Sequence, residues 1–276
     1  MMQRVWVLTQ FLTRRFFFSL TGLLYILVAL VYWIVLFPPQ QSTPDMDNYF
    51  LIIGAFGAAM AFLVTLTIAS RANEAANYPL VVRLPSRVEM LTAVLLSALL
   101  AAGLLQLLVA ALALLRGPSL LDGRFLEIPP VWIAVNVLSA VLAMHASDFV
   151  ASGWSRVVVF GLLAVFLFGQ GNSGSLGPWL ANQLSRLSVT FLTQGWTGLA
   201  GTLNRLVNWL GAADGGRLGN LLGFVFWPFR AVSDAVITGY FDTNQALAPA
   251  VMLLYATILF MLAADLFANK DLDFIE

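Results

Sequence analysis

Few side chains in this 276-residue sequence can do chemistry, and their positions limit what that chemistry is. The one histidine, His145, stands one helical turn before Asp148. Such a pair could relay a proton or give two ligands to a metal. No HExxH pattern and no second histidine accompany it, so a metal site lacks ligands. The other reading is structural: a charge near the end of a span reaches water cheaply, and Asp148 then pairs with Arg156. Asp265 takes the same structural reading. Gln106 and Asn136 lie well inside apolar runs. They line a pathway or bond helix to helix, the second being the commoner use. A third group lies in SRANEAANYPLVVRLPSRVEML, residues 70–91, which gathers Arg71, Glu74, Tyr78, Arg83 and Arg87. That segment is either a docking surface for a cytosolic partner or a solvated loop.

Other chemistry is excluded by what the sequence lacks. It has no cysteine, hence no disulfide, thiolate metal site or Cys nucleophile. Lys270 is the single lysine, and no glycine-rich turn precedes it, so no P-loop holds a nucleotide in this chain. The polar stretch GQGNSGSLG, residues 169–177, contains no GxSxG elbow.

The elements that hold these residues follow from composition. Hydrophobic residues make up 60% and charged residues 10%, against roughly 25% charged in soluble domains. Net charge is zero and mean hydropathy +0.87. So little charge excludes a soluble enzyme and a disordered chain, and the absence of a basic surface excludes a nucleic-acid partner. Apolar runs of about 20 residues cross a bilayer. The sequence predicts spans at 16–37, 49–69, 90–115, 131–150, 156–169 and 249–268. The run 16–37 exceeds the h-region of a signal peptide and reads as a retained span. Gly54, Gly57, Ala58 and Ala61 give the second span a small-residue face for close packing.

Before the first span, Val5, Leu8, Leu12 and Phe16 recur at helical spacing, with Arg4, Gln10 and Arg14 elsewhere on the wheel and Arg15 at its end. This predicts an amphipathic helix over 1–15 in the membrane interface, anchored by Trp6; the alternative is a polar leading end of the span itself. Residues 178–217 are amphipathic too. Residues 218–232 are apolar, too short for a span, and interrupted by Pro228. Trp179, Trp196, Trp209 and Trp227 form an interfacial belt or, less simply, line a vestibule. The Lys/Arg bias puts Arg4, Arg14, Arg15, loop 70–89 and Arg156 on the cytoplasmic side, with both termini, and region 169–248 outside.

Arg71, Glu74 and the run Leu84-Pro85-Ser86-Arg87 resemble the loop between the second and third spans in the permease subunits of ABC type-2 exporters. Residues 178–240 resemble that family's stretch before its last span, and the segments around Pro228–Gly239 and Leu266–Asp273 look like those of a group of bacterial exporters. The resemblance implies an all-α polytopic membrane protein: a single transmembrane domain over 1–276, six spans, an interfacial N-terminal helix and short external or re-entrant helices before the last span. It implies that 70–89 is a coupling segment touching an ATPase subunit through Arg71, Glu74, Tyr78, Leu80 and Arg83. The partners it implies are a cytosolic ABC ATPase carrying ATP and Mg, a second permease copy or homologue, and the lipid of a bacterial inner membrane. The chain would then be a transport subunit and not itself an enzyme. Two other classes stand beside this one: an ion-coupled secondary carrier using His145 and Asp148, and a membrane scaffold that transports nothing.

Overall fold

The computed structural model describes residues 2–37, 46–74, 77–115, 128–150, 159, 176–211, 227–229, 231–232, 242 and 245–269. Every regular element among them is helical. The chain forms two compact units, residues 1–159 with 231–276, and residues 160–230.

The first unit holds α1 (Met2–Phe17), α2 (Leu20–Leu36), α3 (Met46–Ala72), α4 (Tyr78–Arg83), α5 (Arg87–Leu114), α6 (Ile128–Ala146) and α9 (Ala248–Asn269). Its core forms around α5, which packs against α1, α2, α3, α6 and α9. Sequence explains this placement. Ala93, Ala98, Ala101 and Ala102 are fully buried on α5, and small side chains let neighbouring helices approach closely. The opposite surface is apolar and uncovered: Leu100, Leu104 and Leu107 of α5, Leu27 of α2, and Ile258 and Met261 of α9 are exposed. Faces of this extent are unfavourable in water and suited to lipid. Four helices among the described residues are long and apolar enough to cross a membrane, and five if the bent pair α1–α2 counts as one span. The protein is a helical integral membrane protein.

The expected first span, 16–37, holds the last two residues of α1 and all of α2, and the two helices are bent by 70°. The break falls at Phe18–Ser19, later than the Arg15–Phe16 boundary read from sequence. Ser19 sets it: its extended backbone leaves the helix, and its hydroxyl accepts from the Gly22 amide as the N-cap of α2. Gly22 is required there, because a Cβ would overlap the Phe16 carbonyl oxygen and crowd the Phe17 Cα. The stripe on α1 also differs by one position. Val5, Thr9, Leu12 and Phe16 are buried, whereas Leu8 is only half-buried. That face packs on α5 rather than on lipid, and Trp6, Val7 and Phe11 stay exposed.

Pro79 was expected to break segment 70–89, with a turn over 74–78. Instead the helix begins at Tyr78 and contains Pro79 in its first turn, where the missing N–H costs nothing. Pro85 lies in the gap before α5, whose N-cap is Ser86. The fourth expected span ends four residues early, at Ala146. The fifth, at 156–169, falls outside the described residues except Val159, as do the tail from residue 270 and the polar stretch 169–175.

The second unit contains α7 (Leu176–Thr193) and α8 (Thr197–Gly211), packed as a helical hairpin. Ser188 joins them, donating to the Ala200 carbonyl at 3.2 Å or to Asn204 Oδ1 at 2.9 Å. Gly195, at φ +79°, lies in the turn, and Trp196 stacks on Phe191 at 5.7 Å.

Candidate functional site

Two polar clusters stand out in the first unit. The first joins the elbow between α1 and α2 to the end of α3. Arg15, in the last turn of α1, donates to Asn77 Oδ1 at 3.0 Å and to Glu74 Oε2 at 3.2 Å. Asn77 returns the connection by donating to the Arg71 carbonyl at 2.6 Å. Arg71, in the last turn of α3, donates to Ser19 Oγ at 2.9 Å and to Thr21 Oγ1 at 2.5 Å. Ser19 Oγ itself donates to the Phe16 carbonyl at 2.6 Å, so with the Gly22 and Arg71 bonds its one proton and two lone pairs are all used. The result is a closed polar latch of six side chains and two chain turns. Asn77, at its centre, is 3% exposed, while the Arg15–Glu74 ion pair at its edge is roughly half in solvent.

The helix α4 follows directly. Leu80, Val82 and Arg83 are exposed on it, Val82 by 59%. The side chain of Tyr78 lies outside those described. Of the residues that the resemblance assigns to a partner contact, Arg71 and Glu74 therefore bond to the elbow, Glu74 about half in solvent, while Leu80 and Arg83 are exposed on α4. Arg15, assigned to the interfacial helix, belongs to the same latch. Arg4 and Arg14 are exposed on α1, and the Arg14 guanidinium lies 5.8 Å from the centre of the Phe18 ring.

The second cluster lies deep among α3, α5 and α6. Asn136 donates to Gln106 Oε1 at 2.6 Å, and Gln106 donates to the Ile53 carbonyl at 3.1 Å. Both amides are buried, and Asn136 Oδ1 has no hydrogen-bond partner. Gly57 makes the arrangement fit, since a Cβ there would overlap the Gln106 amide. One turn away Trp132 donates to the Phe50 carbonyl at 3.2 Å, and Tyr49 donates to the Ala110 carbonyl at 3.0 Å. These side chains tie three helices together where water cannot. Of the two sequence readings of Gln106 and Asn136, the helix-to-helix bond is what the geometry displays.

His145 is buried, and its Nε2 lies 2.8 Å from the Leu259 carbonyl of α9. A carbonyl only accepts, so that nitrogen carries the proton and the ring bridges α6 to α9. Asp148 is exposed just beyond the end of α6, and Arg156 lies outside the described residues. Among the described residues no group of three or more His, Asp or Glu side chains is placed to hold a metal.

Sequence reasoning missed Ser19, Thr21 and Asn77, which complete the latch. It also passed over Glu89, a buried carboxyl in the first turn of α5. Ser86 and Glu89 have the S-x-x-E spacing of a helix start, the one signal that could have singled Glu89 out. Its Oε2 is buried without a hydrogen-bond partner. No protein-family model matches the chain, no curated protein matches it, and no solved structure matches it.

Proposed function

We propose that the chain is the transmembrane permease subunit of an ABC-type exporter, moving an unidentified substrate outward with ATP hydrolysed by a separate subunit. The observation that carries this reading is the latch with α4 beside it. A short helix with exposed Leu80, Val82 and Arg83 offers an apolar contact with a positive charge at its end. A load on that helix reaches three others at once, because Asn77, next to Tyr78, is held by Arg15 of α1 and by the α3 carbonyl of Arg71. Arg71 in turn grips the start of α2. Coupling of a distant ATP cycle to helix repacking needs a connection of this kind, since packed helices switch between discrete arrangements rather than deforming smoothly.

In this reading the ATPase carries ATP and Mg, and a second permease copy or a homologue completes the pathway. The membrane is a bacterial inner membrane with both termini cytoplasmic. Six spans are counted, one of them at 156–169. Gln106 and Asn136 hold helices of the pathway wall in register, and His145 anchors the last span.

Co-purification tests the reading. The tagged full chain is extracted gently from its native host and its companions are identified. A P-loop ATPase in stoichiometric amount, lost on Leu80→Asp with Val82→Asp, is the expected result. A chain that comes without any nucleotide-binding companion contradicts it. Transport that persists without an ATPase and stops on Asp148→Asn would replace it with an ion-coupled carrier.

A further inference from the structure

We infer that the α7–α8 hairpin lies flat on the membrane, its larger apolar face in the boundary between headgroups and acyl chains and its arginines among anionic headgroups. The inference uses the second unit alone and does not rest on the exporter reading.

The seam of the hairpin is fixed by Ser188, which meets the Ala200 carbonyl and Asn204 Oδ1. At 100° per residue in two antiparallel helices, that seam puts Leu184, Leu187 and Phe191 of α7 on the same side as Leu199, Leu203 and Leu206 of α8. Leu187, Leu199 and Leu206 are exposed by 49%, 52% and 44%. Trp196, 56% exposed, closes the loop end of this side and stacks on Phe191. The same geometry sends Arg205 and Asn208 of α8 to the opposite side, together with Val189 and Leu192 of α7, exposed by 57% and 48%, and Arg186 to the outer flank of α7. Each is exposed.

Three observations choose lipid as the occupant. The remainder of the chain is embedded in a bilayer, so a membrane surface is tethered within reach. Arg186 and Arg205 are the only charged residues between 176 and 211, with no Asp or Glu among them. A purely cationic, Trp-bearing amphipathic element complements anionic headgroups. The two helices also bond to each other through Ser188 and Asn204, so the buried Ser188 hydroxyl is satisfied without water.

The chain has no cysteine, so single cysteines can be placed in the full protein and spin-labelled. Labels at Leu199→Cys and Asn208→Cys are read in nanodiscs of zwitterionic or of half-anionic lipid, by collision with oxygen and with a water-soluble nickel complex. The expected result is an oxygen-rich, nickel-poor label at 199, roughly 5–10 Å below the phosphates, and a nickel-accessible label at 208. Arg186→Gln, or purely zwitterionic lipid, should raise nickel access at 199 at least about twofold, with the salt sensitivity of a surface charge contact. Equal nickel access at both positions would overturn the inference, because the hairpin would then stand in water. Both labels deep in hydrocarbon would overturn it in favour of a membrane-penetrating hairpin. Protection at 199 only in discs holding two copies would overturn it in favour of a protein interface. If Leu199→Cys does not fold, Leu206→Cys reads the same face.

Discussion

The latch at Arg15–Glu74–Asn77–Arg71 and the seam at Ile53–Gln106–Asn136 do the same job with different chemistry. Each ties helices far apart in sequence. The seam uses two neutral amides and a backbone carbonyl, all buried; the latch uses two arginines and a glutamate, with its ion pair about half exposed. Solvent explains the difference. A charge at the centre of a bilayer costs several kcal/mol, whereas an amide that finds a partner is tolerated. At the end of a span water can reach a guanidinium, and its multiple donors can hold several acceptors at once. The seam is therefore built to stay fixed, and the latch is held by contacts that a partner, salt or a mutation can alter.

The comparison breaks most severely at Gly57. Gly57→Leu drives a side chain into the Gln106 amide, and overpacking of this kind should cost about 3 kcal/mol. The expected outcome is a protein that melts well below the parent in detergent, or fails to insert, and the reading is a thermal unfolding curve. Arg71→Ala comes next. It removes charge-assisted bonds to Ser19 and Thr21 and should cost about 2 kcal/mol. Spin-label distances between α1 and α2 should broaden in this variant while the α5–α6 distance stays put. Unchanged elbow distances would contradict the latch.

A smaller effect is expected at Asn136→Leu. Interhelical bonds in membranes average about 0.6 kcal/mol, and here one acceptor of Asn136 is already unpartnered. The variant should lose about that much, or gain if the leucine packs without strain, and the melt should not depend on salt. The smallest belongs to Glu74→Gln, which breaks an exposed ion pair worth under about 1 kcal/mol. Its mark is salt: between about 50 mM and 0.5 M the parent elbow should loosen and the variant should barely respond.

Much of the fold could be read from the sequence because bilayers impose a simple rule. The cores of α3, α5, α6 and α9 are long apolar runs, and the helices cover or nearly cover the predicted spans. The small residues predicted to admit close neighbours do so, with Gly54 against Trp132 and Gly57 against Gln106. The bend at Phe18–Ser19 was harder, because a continuous apolar run hides a break made by one hydroxyl and one glycine. The helix α4 was misplaced because Pro79 was read as a stop, although proline is at home in a first turn. Six spans were counted; the described helices give four, or five with the bent pair.

The candidate site was legible only in part. Arg71 and Glu74 were singled out by type, yet their partners Ser19, Thr21 and Arg15 lie 50 to 59 residues away and share no periodicity with them. Asn77 looked like one more polar residue in a loop. Pairings at that range come from packing, which no local pattern records.

The central claim is that α4 is the face on which an ATPase docks, with the latch behind it. The most direct measurement is a photo-crosslinking amino acid at Val82, activated in intact cells of the native host, with the adduct identified by mass spectrometry. The account predicts one dominant adduct to a P-loop ATPase, weakened by Arg71→Ala. Adducts to lipid or to the chain itself, with no ATPase among them, would contradict it.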